Sequence, residues 1–361
     1  MIGIKMQGAD MRRCEGREHG IDLLKIIAMF LIVVHHIVFW SGWGMVSGRI
    51  GVKGFVFSTV DGFCCMAVNC FVLCSGWIMS RKEFKPLRLV KLWLIVEFYS
   101  ILALVVACIH PSINVTTRDL IFNVLPIAMN RYWFFTQYAG LFFLMPILNL
   151  AIERLYRRAL CFLLIVGLVL FSFHPFFFKN DMYHVYRGYG LIWFAFLYFL
   201  GGVAANYGIL KRVPQWVAML GVVLGGWGGV ISFKLAVPIN SWLGMRTDPS
   251  LYDAYNSPFL LLGSVSMLLL FSRVRKLPSI AQQFVSLASP SVFSVYIIHS
   301  NHYFRVITNW NERWTCFFLS NGLVKVLIYV LFLSVLIFAG CVAVDVVRRF
   351  IARKLLMRMP V

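Results

Sequence analysis

The feature that most constrains this chain of 361 residues is a series of apolar runs, each about as long as a membrane span. A helix that crosses the hydrocarbon core of a bilayer needs about 20 predominantly apolar residues. Ten such runs follow one another, at residues 22–42, 55–79, 89–109, 132–152, 159–173, 189–206, 214–233, 254–272, 284–302 and 323–347. The sequence therefore predicts an all-α, polytopic integral membrane protein with about ten transmembrane helices.

The composition excludes a water-soluble domain of this size. Charged residues make up 13% of the chain and hydrophobic residues 60%, whereas a soluble domain carries about 25% charged residues. The net charge of +20 comes from short clusters between the apolar runs, which is typical of topology signals and not of a phosphate-binding face. We expect contacts with membrane lipids and no binding of nucleic acid.

The lysines and arginines also predict the orientation of the chain. With the amino terminus in the cytoplasm, the cytoplasmic segments carry about twice as many lysines and arginines as the exterior segments, as the positive-inside rule requires. Both termini are then cytoplasmic. The expected organisation is a cytoplasmic segment at 1–20, a transmembrane domain at 21–347 and a basic cytoplasmic tail at 348–361.

The first span, "DLLKIIAMFLIVVHH", places ionisable groups near both of its ends. Lys25 and His36 are eleven residues apart, so they project from nearly the same helical face, about 16 Å apart along the axis, while His35 points about 80° away. Ionisable groups at this depth are costly and usually face a cavity or a partner. Because neutral imidazole can take a proton, His36 is the candidate general base.

A structural interpretation of the same residues stays open. Lys25 could snorkel to the interface, and His36 could only hydrogen-bond a neighbouring helix. Asp22 could pair with Lys25 or stabilise the start of the helix.

The basic segment after the second span is a candidate phosphate-binding surface. Lys85, Arg88 and Lys91 follow one another at intervals of three residues at the predicted cytoplasmic mouth. Such a ridge suits the phosphates of a lipid headgroup or of a nucleotide-containing cofactor. Topology signalling alone explains the charges equally well.

Four further polar or aromatic residues are possible supporting groups. Glu97 is expected to be the only carboxylate well inside the hydrocarbon region, where it serves either function or helix association. Asn69 offers a polar contact or close helix packing. Trp133 is typical of an exterior aromatic belt. His299, at the exterior end of the ninth span, either shares a cavity with His36 or lies exposed at the interface.

Five segments in a fixed order resemble the acyltransferase-3 family. They are "IDLLKIIAMFLIVVHH", "VNCFVLCSGW", "KPLRLVK", "YWFFTQYAGLFFLMPILN" and "FSVYIIHS". The chain is most similar to the membrane-only bacterial branch of surface-polysaccharide O-acyltransferases, and the resemblance covers residues from about 20 to 345. Its most specific part is a basic residue, ten intervening residues and a histidine in the first span.

The resemblance implies roles for individual residues. Lys25 stands at the basic position, where the family usually has arginine, and His36 stands at the histidine. Arg88 and Lys91 match a basic pair after the second span, again with lysine in place of a frequent arginine. The positions of three further residues are typical of the family, namely Asn69, Trp133 and His299.

The resemblance also implies an activity. It is the transfer of an acyl group, most often acetyl, from cytoplasmic acyl-CoA to a hydroxyl of a glycan or lipid-linked sugar, in the inner membrane of a bacterium. Acetyl-CoA or another acyl-CoA is then a substrate, and neither a resident cofactor nor a metal is expected. Two alternatives remain: a transporter or flippase for a small polar or glycolipid substrate, and a non-catalytic membrane sensor or assembly partner.

Overall fold

The structure, a computed structural model, describes residues 18–40, 51–111, 113–178, 181–208, 212–242, 254–308 and 310–357. Most of the predicted amino-terminal segment and the last four residues lie outside these ranges. The described residues form helices and connecting turns, with no strand among them. In chain order the α-helices are α1 His19–Trp40, α2 Gly51–Met79, α3 Leu87–Ile109, α4 Thr117–Val124, α5 Trp133–Arg154, α6 Arg157–Leu168, α7 His174–Phe178, α8 Leu191–Tyr207, α9 Gln215–Trp242, α10 Pro258–Ser272, α11 Ser279–Ala288, α12 Val292–His299, α13 His302–Ile307, α14 Trp310–Ser320 and α15 Leu323–Met357.

The helices match the predicted spans closely. In the described part of the chain, seven stretches are long and apolar enough to cross a membrane, and they are His19–Trp40, Gly51–Met79, Leu87–Ile109, Trp133–Arg154, Arg157–Phe178, Gln215–Ser232 and Leu323–Lys354. Two shorter apolar helices, Leu191–Tyr207 and Pro258–Ser272, occupy two further predicted spans. The all-α, polytopic class is confirmed.

The ninth predicted span, 284–302, is not one helix. It is divided into α11 and α12 by a 3₁₀ turn at Ser289–Ser291, and Pro290 lies in the middle of that turn. Proline lacks the backbone N–H and clashes with the carbonyl four residues earlier, so it breaks a continuous α-helix. The break leaves α12 as a helix of eight residues that ends at His299.

The predicted basic tail at 348–361 overlaps the last described helix. Helix α15 continues to Met357 without interruption. The basic residues expected in a separate tail from 348 therefore begin inside a helix.

The described chain divides into two compact units. The first contains the described residues up to Leu24 together with Gly62–Pro86 and Trp133–Lys276. Within it α5 packs against α8, and α9 packs against α10. Close packing of α2 on α8 requires glycine, because a Cβ at Gly76 would collide with the carbonyl oxygen of Tyr198.

The second unit contains Lys25–Asp61, Leu87–Tyr132 and the described residues from Leu277 onward. Its short helix α12 packs against α3 and α15, and α13 packs against α3. This arrangement places the carboxyl-terminal end of α12 in the interior of the unit, where His299 is only 2% exposed.

Candidate functional site

Helix α1 carries the two residues on which the sequence argument rests. The helix is continuous from His19 to Trp40, so the eleven-residue interval between Lys25 and His36 keeps both side chains near one face. Lys25 and His36 are each half-buried. The structure therefore preserves the spacing that distinguishes His36 from its neighbour His35.

The two histidines His36 and His299 are in direct contact in the second unit. The Nδ1 atom of His36 lies 2.9 Å from Nε2 of His299, although the two residues are 263 positions apart in the chain. The Nδ1 atom of His299 lies 2.5 Å from the backbone carbonyl oxygen of Val295, one turn earlier on α12. A side chain expected only to share a cavity with His36 is thus its hydrogen-bond partner.

This chain of contacts determines the tautomer of each neutral ring. A carbonyl oxygen only accepts hydrogen bonds, so Nδ1–H of His299 donates to Val295. The Nε2 atom of His299 then carries a lone pair and accepts the Nδ1–H of His36. It follows that Nε2 of His36 carries a lone pair. That atom is available to accept a proton, as a general base must.

His35 belongs to a different pair. Its Nδ1 atom lies 2.6 Å from Oδ1 of Asp61, and both side chains are partly exposed. The carboxylate accepts the Nδ1–H of His35, an arrangement that orients an imidazole. The rings of His35 and His36 are 5.6 Å apart, so two oriented imidazoles lie side by side.

Asp61 was missed by the sequence argument, although one signal pointed to it. It is a carboxylate within a predicted span, and such residues usually face a partner. Glu97 was expected to be the only carboxylate well inside the hydrocarbon region, and two further carboxylates lie within helices long enough to cross a membrane. Besides Asp61 in α2, Asp345 lies fully buried in α15.

Asp345 is held by a network that differs from the site around His36. The Tyr99 hydroxyl donates to Asp345 Oδ1 at 2.9 Å, and Arg348 and Arg349 form ion pairs with the same carboxylate. Glu97, on the helix that carries Tyr99, is half-buried beside the Trp93 side chain, which hydrogen-bonds it. The Tyr99–Asp345 hydrogen bond joins α3 to α15, whereas the contact of Glu97 with Trp93 lies within α3.

The predicted basic ridge is only partly helical. Helix α3 begins at Leu87, so Arg88 and Lys91 lie one turn apart on it, Arg88 half-buried and Lys91 exposed. Lys85 precedes the helix, where its ammonium lies 3.2 Å from a carboxylate oxygen of Glu83. The pair at 88 and 91 is therefore the part of the ridge that can present two charges together.

The remaining predicted site residues lie in the first unit. Asn69 is fully buried, donates to the carbonyl of Tyr255 at 2.8 Å and accepts from the Trp193 indole at 3.0 Å. Through these two hydrogen bonds the Asn69 side chain connects α2 to other segments of the first unit. Trp133 lies in an aromatic cluster, with its ring centroid 4.6 Å from that of Tyr189. Asp22 lies in the first turn of α1, where a negative charge is favoured.

Comparison with known proteins adds one finding about the whole chain. The family model described as an acyltransferase domain, acyltransferase-3, matches residues 18–346. No curated protein matches the chain. No solved structure matches it.

Proposed function

The chain belongs to the acyltransferase-3 family, and from this membership and the paired histidines we propose that it is an O-acyltransferase of a bacterial inner membrane. It transfers an acyl group, acetyl in the first instance, from cytoplasmic acyl-CoA to a hydroxyl of a cell-surface or lipid-linked glycan. A multi-pass membrane acyltransferase is the coarser statement that the family and the apolar helices support directly. The acetyl group, the CoA donor and the glycan acceptor are the proposal.

The observation that carries the proposal is the hydrogen-bond chain from Val295 through His299 to His36. The hydrogen bond that orients the His36 ring is made by Nδ1, so the lone pair on Nε2 takes no part in it. A base oriented in this way is suited to abstract a proton from a hydroxyl group.

The reaction then follows from the chemistry of a thioester. His36 Nε2 takes the proton of the acceptor hydroxyl as its oxygen attacks the thioester carbonyl carbon. The new C–O bond forms, the C–S bond breaks, and the electron pair leaves with the CoA sulfur. The proton passes from His36 to the CoA thiolate, which restores the neutral base. His299 positions His36 throughout and accepts part of the charge of the protonated ring through the shared hydrogen bond.

The donor is assigned to the cationic residues of the second unit. Lys25, Arg88 and Lys91 supply the positive charge that the phosphates of CoA require. Under the predicted topology these residues lie at the cytoplasmic end, where acyl-CoA is found. Lys25 lies about 16 Å from His36 along α1, which separates the phosphate-binding end of the donor from the reacting carbonyl.

The proposal is tested by following a labelled acetyl group. Inverted membrane vesicles from a host with and without the chain are supplied with acetyl-CoA labelled in the acetyl group. Mass spectrometry then measures the envelope glycans. The expected result is an alkali-labile labelled ester that depends on the chain. Glycan or sugar accumulation in the vesicles without acyl-CoA, and no ester, would instead indicate a transporter or flippase and contradict the proposal.

A further inference from the structure

Two arginines of the second unit lie near enough to each other to interact electrostatically, and we call Arg131 and Arg305 the arginine pair. The guanidinium of Arg305, on α13, lies over the ring of Trp40 at 4.6 Å from its centroid. The guanidinium of Arg131, two residues before the start of α5, lies over the ring of Tyr303 at 5.8 Å from its centroid. Each cation therefore rests on an aromatic face that holds its orientation.

The arginine pair has buried hydrogen-bond donors without acceptors. Among the described residues, Nε and Nη2 of Arg131 and Nε of Arg305 are buried with no hydrogen-bond partner. The hydroxyl of Tyr303, beneath Arg131, is likewise buried with no hydrogen-bond partner among the described residues. Buried donors of charged groups are costly to leave unpaired. Several such atoms in one place indicate a site that an acceptor of hydrogen bonds occupies.

The carboxylate that interacts electrostatically with Arg131 is engaged elsewhere. Asp119 accepts from the Thr116 hydroxyl at 2.6 Å and from the Thr116 backbone N–H at 3.0 Å, in the capping box that starts α4. These hydrogen bonds lower the pKa of Asp119, so it is ionised at neutral pH. Burial lowers the pKa of Arg305, and the nearby charge of Arg131 lowers it further. The positive charges of the two guanidinium groups thus repel each other.

The position of the arginine pair relative to His36 suggests which substrate it serves. Trp40 stacks on His36, with ring centroids 4.2 Å apart, and also carries Arg305 on its ring. Trp40 lies one helical turn beyond His36, on the side away from Lys25. Arg305 is therefore at the opposite end of α1 from Lys25, which is assigned to the CoA phosphates.

We infer that the arginine pair binds an anionic group, carboxylate or phosphate, on the acyl acceptor. Guanidinium groups bind both kinds of oxyanion through two parallel N–H···O bonds, which matches the unpaired donors. The acceptor is then an acidic glycan or a glycan joined to its lipid by phosphate, held with its hydroxyl near His36. This inference deepens the proposed function and rests on it.

The test measures binding to the full-length protein in lipid nanodiscs, without acyl-CoA. The probes are tetragalacturonic acid with its carboxyl-reduced neutral form, and farnesyl diphosphate with farnesol. The first pair represents an acidic sugar and the second a phosphate-linked lipid. Wild-type protein should bind at least one anionic probe about tenfold or more tightly than its neutral counterpart. The pair that shows this difference identifies the source of the anion.

Variants locate the effect. Arg305→Gln and Arg131→Gln should each reduce the affinity for that anionic probe about tenfold or more, with little change for the neutral one. Arg118→Gln, an exposed arginine on α4, is the matched control and should leave the affinity unchanged. The binding assay contains no acyl-CoA, so its result does not depend on the acyl transfer that the labelled-acetyl assay measures. Failure of binding and failure of acyl transfer are thus distinguishable.

Three results would overturn the inference. The first is equal affinity of the wild-type protein for charged and neutral probes. This comparison needs no variant, so it tests the inference even if a glutamine variant fails to fold. The second is unchanged affinity for the anionic probe in both folded glutamine variants. The third is displacement of the anionic probe by CoA at concentrations that saturate the donor site, which would assign the arginine pair to the donor.

Discussion

At the scale of single residues, the site depends on which atom of each histidine carries a proton. One backbone carbonyl, that of Val295, selects the tautomer of His299, and His299 in turn selects that of His36. The sequence could identify His36, because its spacing from Lys25 is a property of one helix. It left open whether His299 lies beside His36, and it gave no sign of the contact of His35 with Asp61, since helical periodicity carries no information about which helices pack together.

Replacing His299 tests the positioning role. His299→Ala removes the acceptor for His36 Nδ1–H, so the His36 ring loses its fixed tautomer and orientation. We expect kcat to fall about 10- to 100-fold, with the KM for acyl-CoA changed less than about twofold. Steady-state kinetics in nanodiscs measure both constants.

The matched variant for that experiment is His299→Gln. Its amide oxygen can still accept from His36, so it should recover part of the lost kcat. Equal kcat in wild type and His299→Ala would show that His299 has no positioning role.

At the scale of secondary structure, two helices determine where the reactive groups lie. Helix α1 is unbroken, and its register alone sets the spacing from Lys25 to His36. Helix α12 exists as a separate element because Pro290 interrupts the predicted ninth span. The apolar character of that span was visible in the sequence. Its division is not visible in composition, because the apolar run continues on both sides of Pro290 and only the helix-breaking effect of that proline indicates a boundary.

Changing Lys25 tests the role of the cytoplasmic half of α1. Lys25→Arg keeps the positive charge and introduces a planar guanidinium group, which can bind a phosphate through two parallel hydrogen bonds. Activity should therefore be retained. Lys25→Ala removes the charge and should raise the KM for acyl-CoA about tenfold, with a smaller effect on kcat. Titration of acyl-CoA at saturating acceptor separates the two constants. An unchanged KM in Lys25→Ala would contradict the donor assignment.

Asp345 gives a prediction about stability. Asp345→Ala leaves Arg348 and Arg349 without the carboxylate that lies between them and Tyr99. Because removing the carboxylate leaves the two arginine charges without their ion-pair partner, we expect a loss of about 3 kcal/mol in the free energy of unfolding. Thermal unfolding in detergent should show a clear drop in Tm for Asp345→Ala and a smaller one for Tyr99→Phe. Equal Tm values for wild type and Asp345→Ala would show that the network is not stabilising.

At the scale of the whole molecule, the predicted site residues divide between the two compact units. The second unit holds the residues assigned to chemistry and to the donor, namely Lys25, His36, Arg88, Lys91 and His299, and it also holds His35 and Glu97. The first unit holds Asp22, Asn69 and Trp133. The contacts of Asn69 and Trp133 are those of structural residues, which is the role that packing alone would give them.

The fold class was the most predictable property of the molecule. A bilayer requires each helical span to satisfy its own backbone hydrogen bonds and to contain about 20 apolar residues. The site was less predictable. Its basic and imidazole groups on α1 followed from spacing, whereas Asp61, Arg131, Tyr303 and Arg305 acquire meaning only from contacts between distant segments. The orientation of the termini stays a prediction from the distribution of charge.

The central claim is that His36, and not His35, is the general base. The most direct test compares His36→Ala with His35→Ala as purified proteins at equal concentration, assayed for transfer from acetyl-CoA to the glycan acceptor. We predict that His36→Ala lowers kcat about 100-fold or more, the contribution expected of a general base. His35→Ala should lower it by less than about tenfold. Near-wild-type turnover in His36→Ala, or a greater loss in His35→Ala, would contradict the account.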